Sequence, residues 1–386
     1  MKKYSLAVKG LSVGIILLFI GTVIVPTIAQ GAGKSPLPAS RGNWLYVGGI
    51  GPGNYTNIQD AINKANDGDT VFVYDDSSPY NEWLTINRSI TLIGEARNTT
   101  VIRGTPDGQY IIHIIAPHVV VREFTLLNNQ GDGILIESDN VTITGTIISG
   151  MNSAAIGITD AYHINISSNV LTDSVSGVYV VGSSGYNLIS HNIIRYHVEF
   201  GIYISGKYNI IHGNDIAPAD STIDGMNEFA IYLHQGAFNN ISYNTISSLK
   251  DGIRVEDSYK NILYRNNLTG NQRFGVILID ASGDRILENN FMNNTKNARI
   301  IFWLLGAISM YHELSFPLLP LPTQWASNFW DRPRLMPYPI AEHLMFGLII
   351  PGSLNIFFPN FFESVVNFVW FDLHPAQEPY DITGMN

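Results

Sequence analysis

Two copies of one phrase, Ala230-Ile231-Tyr232-Leu233 and Gly252-Ile253-Arg254-Val255, decide the fold of this chain. The phrase is a small residue, an aliphatic residue, any residue and a second aliphatic residue. Its copies recur about every 22 residues with one longer step, a period that is typical of solenoid proteins. They begin at Gly133, Ala155, Gly177, Gly201, Ala230, Gly252 and Gly275.

The second and fourth positions of every copy are Ile, Val or Leu. Alternation with period two over so few residues predicts a short strand with one buried face. One such strand in about 22 residues leaves room for two more strands and their turns. We therefore predict an all-β chain that folds as a right-handed single-stranded parallel β-helix, in which each coil stacks on the next.

A second set of positions repeats in step with the phrase. Each member is an Asn that follows an aliphatic residue by three: Asn169, Asn192, Asn214, Asn244, Asn266 and Asn289. These residues predict an asparagine ladder inside a turn, in which each side chain bonds to its copies above and below. The alternative is a polar channel for a ligand.

The N-terminal segment predicts export. In residues 1–30, Lys2 and Lys3 precede a long apolar run and small residues follow it, as in a secretory signal peptide. The run approaches the length that crosses a bilayer, so an uncleaved N-terminal anchor is the alternative. Either segment predicts an extracytoplasmic protein, secreted or attached to the cell surface.

The composition limits the partners. The formal net charge is −10 and only 14% of the residues are charged, which argues against nucleic acid as a partner because that partner needs a basic face. The chain has no Cys, and a long solenoid core needs no disulfide. Sequons predict a glycoprotein, unless composition alone produces them: Asn54, Asn87, Asn98, Asn140, Asn165, Asn240, Asn267 and Asn293.

The chain divides into four predicted parts. After residues 1–30, residues 31–52 are a linker that ends in a first strand, and residues 53–298 form the β-helix. Thr56-Asn57-Ile58-Gln59 has the pattern of a capping box, and the helical spacing after it predicts a short helix over the open end of the β-helix. Residues 299–386, rich in Phe, Trp, Leu and Pro, form an apolar C-terminal cap; contact with a membrane or a protein partner is the alternative.

Two parts of the sequence resemble a known family. Ile58-Gln59-Asp60-Ala61-Ile62, Gly68-Asp69-Thr70-Val71 and Ile90-Thr91-Leu92-Ile93-Gly94 resemble the opening of NosD-like and pectin-lyase-like right-handed β-helix proteins. Asn328-Phe329-Trp330-Asp331 and Trp370-Phe371-Asp372-Leu373-His374-Pro375 resemble the end of archaeal cell-surface members. The resemblance implies the fold, but the related folds include lyases, methylesterases, epimerases and non-enzymatic surface proteins.

The motifs of the related enzymes are missing. Tyr80-Asn81-Glu82 resembles pectin methylesterases, but the two strings that carry the catalytic carboxylates of that family are absent. The Asp-Pro-His motif of mannuronan epimerases and the Arg-x-Pro-x-x-Arg pattern of pectin and pectate lyases are absent too. The absence of these motifs argues against an enzymatic function but does not exclude it.

The third and fifth phrase positions point outward if the second and fourth point inward. On stacked coils, ~4.8 Å apart, they would form one surface patch. Aromatic rings can stack on sugars, and Arg, His and Glu can bond to hydroxyls, so the patch is a predicted ligand site; a surface ladder of strand-favouring residues is the alternative. The patch contains Tyr179, Tyr203, Tyr232, His234, Arg254 and Glu256.

Catalysis and metal binding have weaker candidates. In a lyase, His234 or Arg254 would act as the base and Glu256 as a cation ligand. Carboxylates on and just before an inserted loop, Ile216–Phe229, suit Ca²⁺, although no calcium-loop spacing is visible and solvated loop charges are the alternative. These residues are Asp215, Asp220, Asp224 and Glu228. The sequence shows no suitable set of copper ligands, because the His residues are scattered, the Met residues do not cluster and Cys is absent.

Three functions remain open. The first is an exported or cell-surface protein that binds carbohydrate or cell-envelope material without catalysis. The second is a polysaccharide lyase or another carbohydrate-active enzyme. The third is a structural component of the cell envelope.

Overall fold

The structure is a computed structural model of the 386-residue chain. It describes residues 42–105, 108–195, 197–218, 229–305, 323–331, 338–347, 369–372, 375–376 and 378–380. The predicted signal peptide and most of the predicted linker lie outside the described residues.

The described chain is a parallel right-handed β-solenoid of about 11 turns with very little helix, so the predicted fold is confirmed. One helix, α1, spans Ile58–Lys64. In chain order the strands are β1 Trp44–Val47, β2 Thr70–Val73, β3 Tyr80–Asn81, β4 Leu84–Ile86, β5 Thr91–Gly94, β6 Val101–Arg103, β7 Tyr110–Ile114, β8 Val120–Arg122, β9 Thr125–Asn129, β10 Asp132–Ile136, β11 Thr142–Thr144, β12 Ile147–Met151, β13 Ala154–Thr159, β14 Asn165–Ser167, β15 Val170–Thr172, β16 Ser176–Val181, β17 Leu188–Ser190, β18 Ile193–Arg195, β19 Phe200–Ile204, β20 Ile210–His212, β21 Asp215–Ile216, β22 Phe229–His234, β23 Asn240–Ser242, β24 Thr245–Ser247, β25 Asp251–Glu256, β26 Ile262–Tyr264, β27 Asn267–Thr269, β28 Phe274–Ile279, β29 Arg285–Leu287, β30 Asn290–Met292, β31 Lys296–Leu305, β32 Gln324–Ala326, β33 Phe329–Trp330, β34 Tyr338–Gly347 and β35 Val369–Asp372.

Three sheets run along the solenoid, and each coil adds one strand to each sheet. Sheet A has the order β1-β2-β5-β8-β11-β14-β17-β20-β23-β26-β29-β32. Sheet B has the order β3-β6-β9-β12-β15-β18-β21-β24-β27-β30-β33. Sheet C has the order β4-β7-β10-β13-β16-β19-β22-β25-β28-β31-β34-β35, and it contains all seven copies of the repeated phrase.

The repeated phrase sets the register of sheet C. Ile202 pairs with Ile231 across the longer step, so the register of the stack is the same on both sides of that step. The side chains of Ile202, Ile204 and Ile231 are fully buried, like those at the same phrase positions in the other coils. Burial of one such side chain stabilises the fold by about 1.5–3 kcal/mol, which is why stacked coils are stable when one coil alone is not.

The predicted asparagine ladder is present. The Asn192 amide group, for example, donates to Asn214 Oδ1 at 2.9 Å and to the Ile166 carbonyl at 3.0 Å, while its Oδ1 accepts from the Asn169 main chain at 3.0 Å. The same pattern continues to Asn289 and one step beyond it, where Asn289 donates to Asn328 at 3.1 Å. The ladder satisfies buried main-chain groups at a turn that no strand pairing reaches.

A second ladder, which the sequence analysis did not identify, occupies the position before five successive strands of sheet A, β17, β20, β23, β26 and β29. Its members are Asn187, Asn209, Asn239, Asn261 and Asp284. The period was visible in the sequence, but a single Asn one residue before a short strand resembles an ordinary turn residue.

Helix α1 covers the first coil with its buried side chains Ile58, Ala61 and Ile62, as predicted. The predicted capping box is wrong, because Asn57 is the N-cap residue and makes no capping bond through its side chain. Instead, the Glu82 carboxylate accepts from the main-chain nitrogens of Ile58 at 2.9 Å and Gln59 at 3.0 Å. A carboxylate at this end also interacts favourably with the helix dipole.

The sheets continue past residue 298. Strands β31, β32 and β33 extend the three sheets in parallel, and β35 then pairs antiparallel with β34. The predicted division of the chain into domains stays a prediction. Among the described residues, no helix is both long enough and apolar enough to cross a membrane.

Candidate functional site

The outer face of sheet C carries the predicted patch. Tyr179, Tyr203 and Tyr232 pair in register on β16, β19 and β22, and all three side chains are partly exposed. The rings of Tyr179 and Tyr203 stack at 4.6 Å between centroids, whereas Tyr232 meets Tyr203 edge to face at 5.4 Å. The structure therefore brings the three predicted Tyr residues together in one column.

Two further aromatic residues widen this column. Phe200 and Phe229 stack at 5.9 Å, and each also contacts the Tyr three residues further on, at 5.3 Å for Tyr203 and 5.4 Å for Tyr232. Both precede the small residue of the phrase and share the parity of its buried second and fourth positions, so alternation with period two could not have identified them. We name the set of Tyr179, Phe200, Tyr203, Phe229, Tyr232, His234, Arg254 and Glu256 the tyrosine patch.

Glu256 organises one end of the tyrosine patch. Its Oε2 accepts from Tyr232 Oη at 2.6 Å and from Arg254 Nε at 2.8 Å, and Arg254 Nη2 lies 2.6 Å away. The Arg254 guanidinium also lies over the rings of Phe229 and Tyr232, at 5.1 and 5.2 Å from their centroids. Burial raises the pKa of Tyr232, and the hydrogen bond to Glu256 raises it further.

A second polar group lies beside the first. Tyr203 Oη is 3.1 Å from His234 Nδ1, and His234 Nε2 is 3.7 Å from the Asp257 carboxylate. Burial is the main cause that raises the pKa of Tyr203, so this phenol stays protonated at neutral pH. Asp257 was not among the predicted site residues, because it follows the end of the strand that carries the phrase. In the structure its backbone is left-handed (φ 48°).

The chemistry of these groups favours binding. Arg254 is held as a cation by Glu256, and a guanidinium keeps its proton in proteins, so the predicted role of Arg254 as a base is not supported. Glu256 is likewise occupied by two donors. The patch offers aromatic rings, protonated phenols and a neutralised ion pair on an open surface, which are groups that contact sugar rings and hydroxyls.

The outer face changes character beyond Arg254. On β28, the outward positions Phe274, Ile277 and Ile279 are 3%, 4% and 8% exposed and form a small apolar cluster separate from the main core. On this strand the third and fifth phrase positions, Ile277 and Ile279, lie outside the main core and are nevertheless buried.

The predicted calcium ligands are mostly outside the described residues, where Asp220, Asp224 and Glu228 lie. The fourth predicted ligand, Asp215, pairs with Arg195. The Arg195 Nη2 lies 2.5 Å from the Asp215 carboxylate, and the Arg195 Nη1 donates to the Asp215 main-chain carbonyl at 2.7 Å. In the described part of the chain, no group of three or more His, Cys, Asp or Glu residues is placed to hold a metal ion.

A cavity of about 360 Å³ lies away from the tyrosine patch, where β6, β9 and β12 end. Arg103, Asn129 and Asn152 are among its lining residues. The patch itself is an open surface on sheet C, a shape that suits a long polymer better than a small molecule enclosed in a pocket.

Two family models match adjacent parts of the chain. The model described as right handed beta helix region matches residues 87–218. The model described as periplasmic copper-binding protein (NosD) matches residues 217–301. The predicted family resemblance is therefore confirmed. The chain has no Cys, and its described residues include no group of three or more His, Asp or Glu residues placed to hold a metal ion.

The chain is also similar to a curated cell surface glycoprotein of Methanothermus fervidus. The two are 26% identical over 260 residues, which cover 62% of this chain and 42% of the relative. The chain thus spans less than half the length of that relative.

Solved structures share the fold at low sequence identity. The A-module of mannuronan C-5 epimerase AlgE6 from Azotobacter vinelandii has a TM-score of 0.50 and 13% identity, covering 77% of this chain and 91% of its own. The enzymatically active domain of tailspike protein 2 from bacteriophage CBA120 has a TM-score of 0.52 and 10% identity, covering 76% of this chain and 54% of its own. Likeness at this identity concerns the fold alone.

Proposed function

We propose that this chain, which is similar to NosD-like right-handed β-helix proteins, is an exported or cell-surface protein that binds polysaccharide on the tyrosine patch without catalysis. The ligand is a polysaccharide or another glycan of the cell envelope. The extracytoplasmic location is supported by the descriptions of the relatives, one a cell surface protein and the other a periplasmic family.

One observation carries this proposal: the in-register column of partly exposed Tyr rings that ends on a neutralised Arg–Glu pair. Its rungs are ~4.8 Å apart, a spacing close to the length of one sugar residue in an extended chain. A polymer that lies along the solenoid axis would therefore place successive residues on successive coils. Aromatic rings bury apolar faces of sugars, and the phenols and Arg254 supply hydrogen bonds.

The test is binding of the full chain to an array of neutral and acidic polysaccharides, with the double variant Tyr203→Ala/Tyr232→Ala beside the wild type. We expect binding by the wild type and a loss of at least about tenfold in the variant, because central aromatic side chains dominate binding surfaces. The matched control is Tyr186→Ala/Tyr208→Ala, which removes two exposed Tyr rings stacked at 4.9 Å outside sheet C.

Retained binding in the control, with comparable thermal unfolding of both variants, supports the proposal. Failure of the wild type to bind any polysaccharide contradicts it. Equal losses in both double variants contradict the placement of the site on sheet C.

A polysaccharide lyase is the second candidate function, and the contact between His234 and Tyr203 favours it. His234 would remove the proton next to a uronate carboxylate, and the neighbouring Tyr203 phenol would protonate the leaving oxygen. Incubation with uronate polymers, with and without Ca²⁺, should then release unsaturated products in the wild type and not in His234→Gln. The absence of such products from the wild type on every polymer removes this candidate.

A further inference from the structure

A second column of aromatic side chains lies on the turn that leads from sheet C into sheet A. His163, Tyr186, Tyr208 and Phe238 stack in that order, with ring centroids 5.5, 4.9 and 5.1 Å apart. Tyr259 meets Phe238 edge to face at 5.6 Å. We name these five residues the aromatic ridge. All five side chains are exposed, so the ridge is not part of the core.

The exposed apolar surface of the described chain is concentrated at this turn. Six of the thirteen large hydrophobic side chains that are exposed lie on the ridge or two residues after one of its members: Tyr186, Leu188, Tyr208, Ile210, Phe238 and Tyr259. Single exposed apolar residues are ordinary on a protein surface, whereas a contiguous patch marks an interaction surface. We therefore expect another molecule to cover the ridge.

The backbone beneath the ridge does not favour aromatic residues. The four stacked members have left-handed backbones, with φ between 56° and 61°. A bulky side chain is uncommon in that conformation, which Asn and Gly adopt more readily. The same turn position is Asn140 one coil before the ridge and Gly283 two coils after Phe238. The rings between these two positions are thus present against the local preference, which indicates a role beyond forming the turn.

The two ends of the ridge carry opposite charges. Asp139 lies on the coil before His163, and Lys260 lies on the coil after Phe238, and both side chains are exposed. Five strand steps separate the two coils, ~24 Å along the solenoid axis. Lys260 Nζ also lies over the Phe238 ring, 5.4 Å from its centroid.

This arrangement of rings and charges is complementary to itself. A two-fold axis that passes between Tyr186 and Tyr208, perpendicular to the solenoid axis, places Tyr186 of one copy opposite Tyr208 of the other. The same axis places Asp139 opposite Lys260 at both ends of the contact. Two copies that run in the same direction would instead bring Lys260 against Lys260, and like charges repel.

We infer that the aromatic ridge is the interface of a homodimer, in which two copies of this chain pack antiparallel, ridge against ridge. The inference does not depend on the proposed function. The Tyr rings supply most of the contact, and the pair of Asp139 with Lys260 sets the direction. One turn of each coil takes part, so the interface is at the small end of the range and the dissociation constant is on the order of micromolar.

Sedimentation of the full chain over a range of concentrations, without polysaccharide, measures the association. We expect Tyr208→Ser to weaken it at least about tenfold, with Phe238→Ser as a second variant. The matched control is Tyr46→Ser on β1, because its side chain is 39% exposed, close to the 43% of Tyr208. Thermal unfolding shows that each variant folds. Polysaccharide binding is measured below the dissociation constant of the dimer, where loss of the dimer does not change it.

An exchange of charges tests the direction. Lys260→Glu alone and Asp139→Lys alone should each weaken association about tenfold, and the double variant Asp139→Lys/Lys260→Glu should recover most of the affinity. Lys207→Glu is the control, because this exposed residue lies beside Tyr208 and faces the turn of residues 182–187, which contains no acidic residue. We expect it to weaken association less than about threefold.

The outcomes decide the inference. Dimers that Tyr208→Ser weakens and Tyr46→Ser does not, together with recovery in the double variant, support it. A wild type that stays monomeric up to millimolar concentration overturns it and leaves the ridge to another kind of partner. Equal weakening by Tyr208→Ser and Tyr46→Ser also overturns it. A double variant that is no tighter than the single ones contradicts the antiparallel arrangement.

Discussion

At the scale of single residues, Asp284 is the exception within a repeating set. It is the last member of the second ladder, at a position where the preceding coils have Asn, and its Oδ1 accepts from the Asn261 main chain at 2.7 Å and side chain at 3.0 Å. Its Oδ2 is buried without a partner. Burial raises the pKa of Asp284 from 3.8 to about 7, so the folded protein keeps this carboxyl protonated in mildly acidic solution.

The raised pKa predicts a pH dependence of stability. Between about pH 4 and pH 7 the unfolded chain has lost the Asp284 proton and the folded chain retains it, so this group makes the free energy of unfolding fall as pH rises. The total effect is at most about 4 kcal/mol, and it levels off above pH 7. Asp284→Asn restores the ladder residue and should gain stability over the wild type progressively from pH 4 to pH 7.

Chemical denaturation at several pH values measures this difference. Asp139→Asn, which changes an exposed carboxyl, is the control and should show no such growing gain. A stability difference between Asp284→Asn and the wild type that does not change with pH would contradict the assignment.

At the scale of elements, the ladders stabilise the turns, and the apolar side chains of the strands stabilise the core. Asn214 shows why: its Oδ1 accepts from the Asn192 main chain at 3.0 Å and side chain at 2.9 Å, and its amide donates to Ile189 at 2.9 Å and Asn244 at 3.0 Å. Truncation of this one side chain removes the partner of the Asn192 main-chain nitrogen and of the Ile189 carbonyl on the preceding coil, and it weakens the contact with Asn244 on the following coil. Each turn therefore depends on the turns above and below it.

Asn214→Ala should lower the free energy of unfolding by about 2–4 kcal/mol, because each buried group left unpaired costs about 1–3 kcal/mol. Asn240→Ala is the matched control on the next coil, since the Asn240 Oδ1 already has no partner. We expect it to change stability by less than about 1 kcal/mol. Thermal or chemical unfolding of both variants measures the contrast, and equal losses would mean that the ladder contributes nothing specific.

Sequence and structure agree where the repeat itself carries the information. Period two located the strands and the Tyr column, and the spacing of Asn169 and its copies located the first ladder. Contacts between distant parts of the chain were not predictable in this way. The Glu82 carboxylate caps a helix more than twenty residues earlier, and Asp251 neutralises Arg273 on the next coil. Such pairs follow from three-dimensional position and leave no local pattern.

At the scale of the whole molecule, the stacked coils convert the sequence repeat into a constant spacing between equivalent residues. Thr85, Leu135, Tyr179, Tyr203 and Tyr232 lie in one outward column of sheet C, with His113 and Gly157 between the first three. Every step along this column is one strand spacing, whatever length of chain connects the strands. The proposed binding site on the tyrosine patch depends on that column.

Pulsed electron paramagnetic resonance on this column is the most direct test of the account, because the chain has no Cys and nitroxide labels can be attached to introduced ones. One label replaces Thr85, and the second replaces Tyr179, Tyr203 or Tyr232 in turn. These positions are four, five and six strand steps away, so we expect distances of ~19, ~24 and ~29 Å. The increment from Tyr203 to Tyr232, which spans the longer repeat, should equal the increment from Tyr179 to Tyr203; unequal increments would contradict the stacked column and the binding surface built on it.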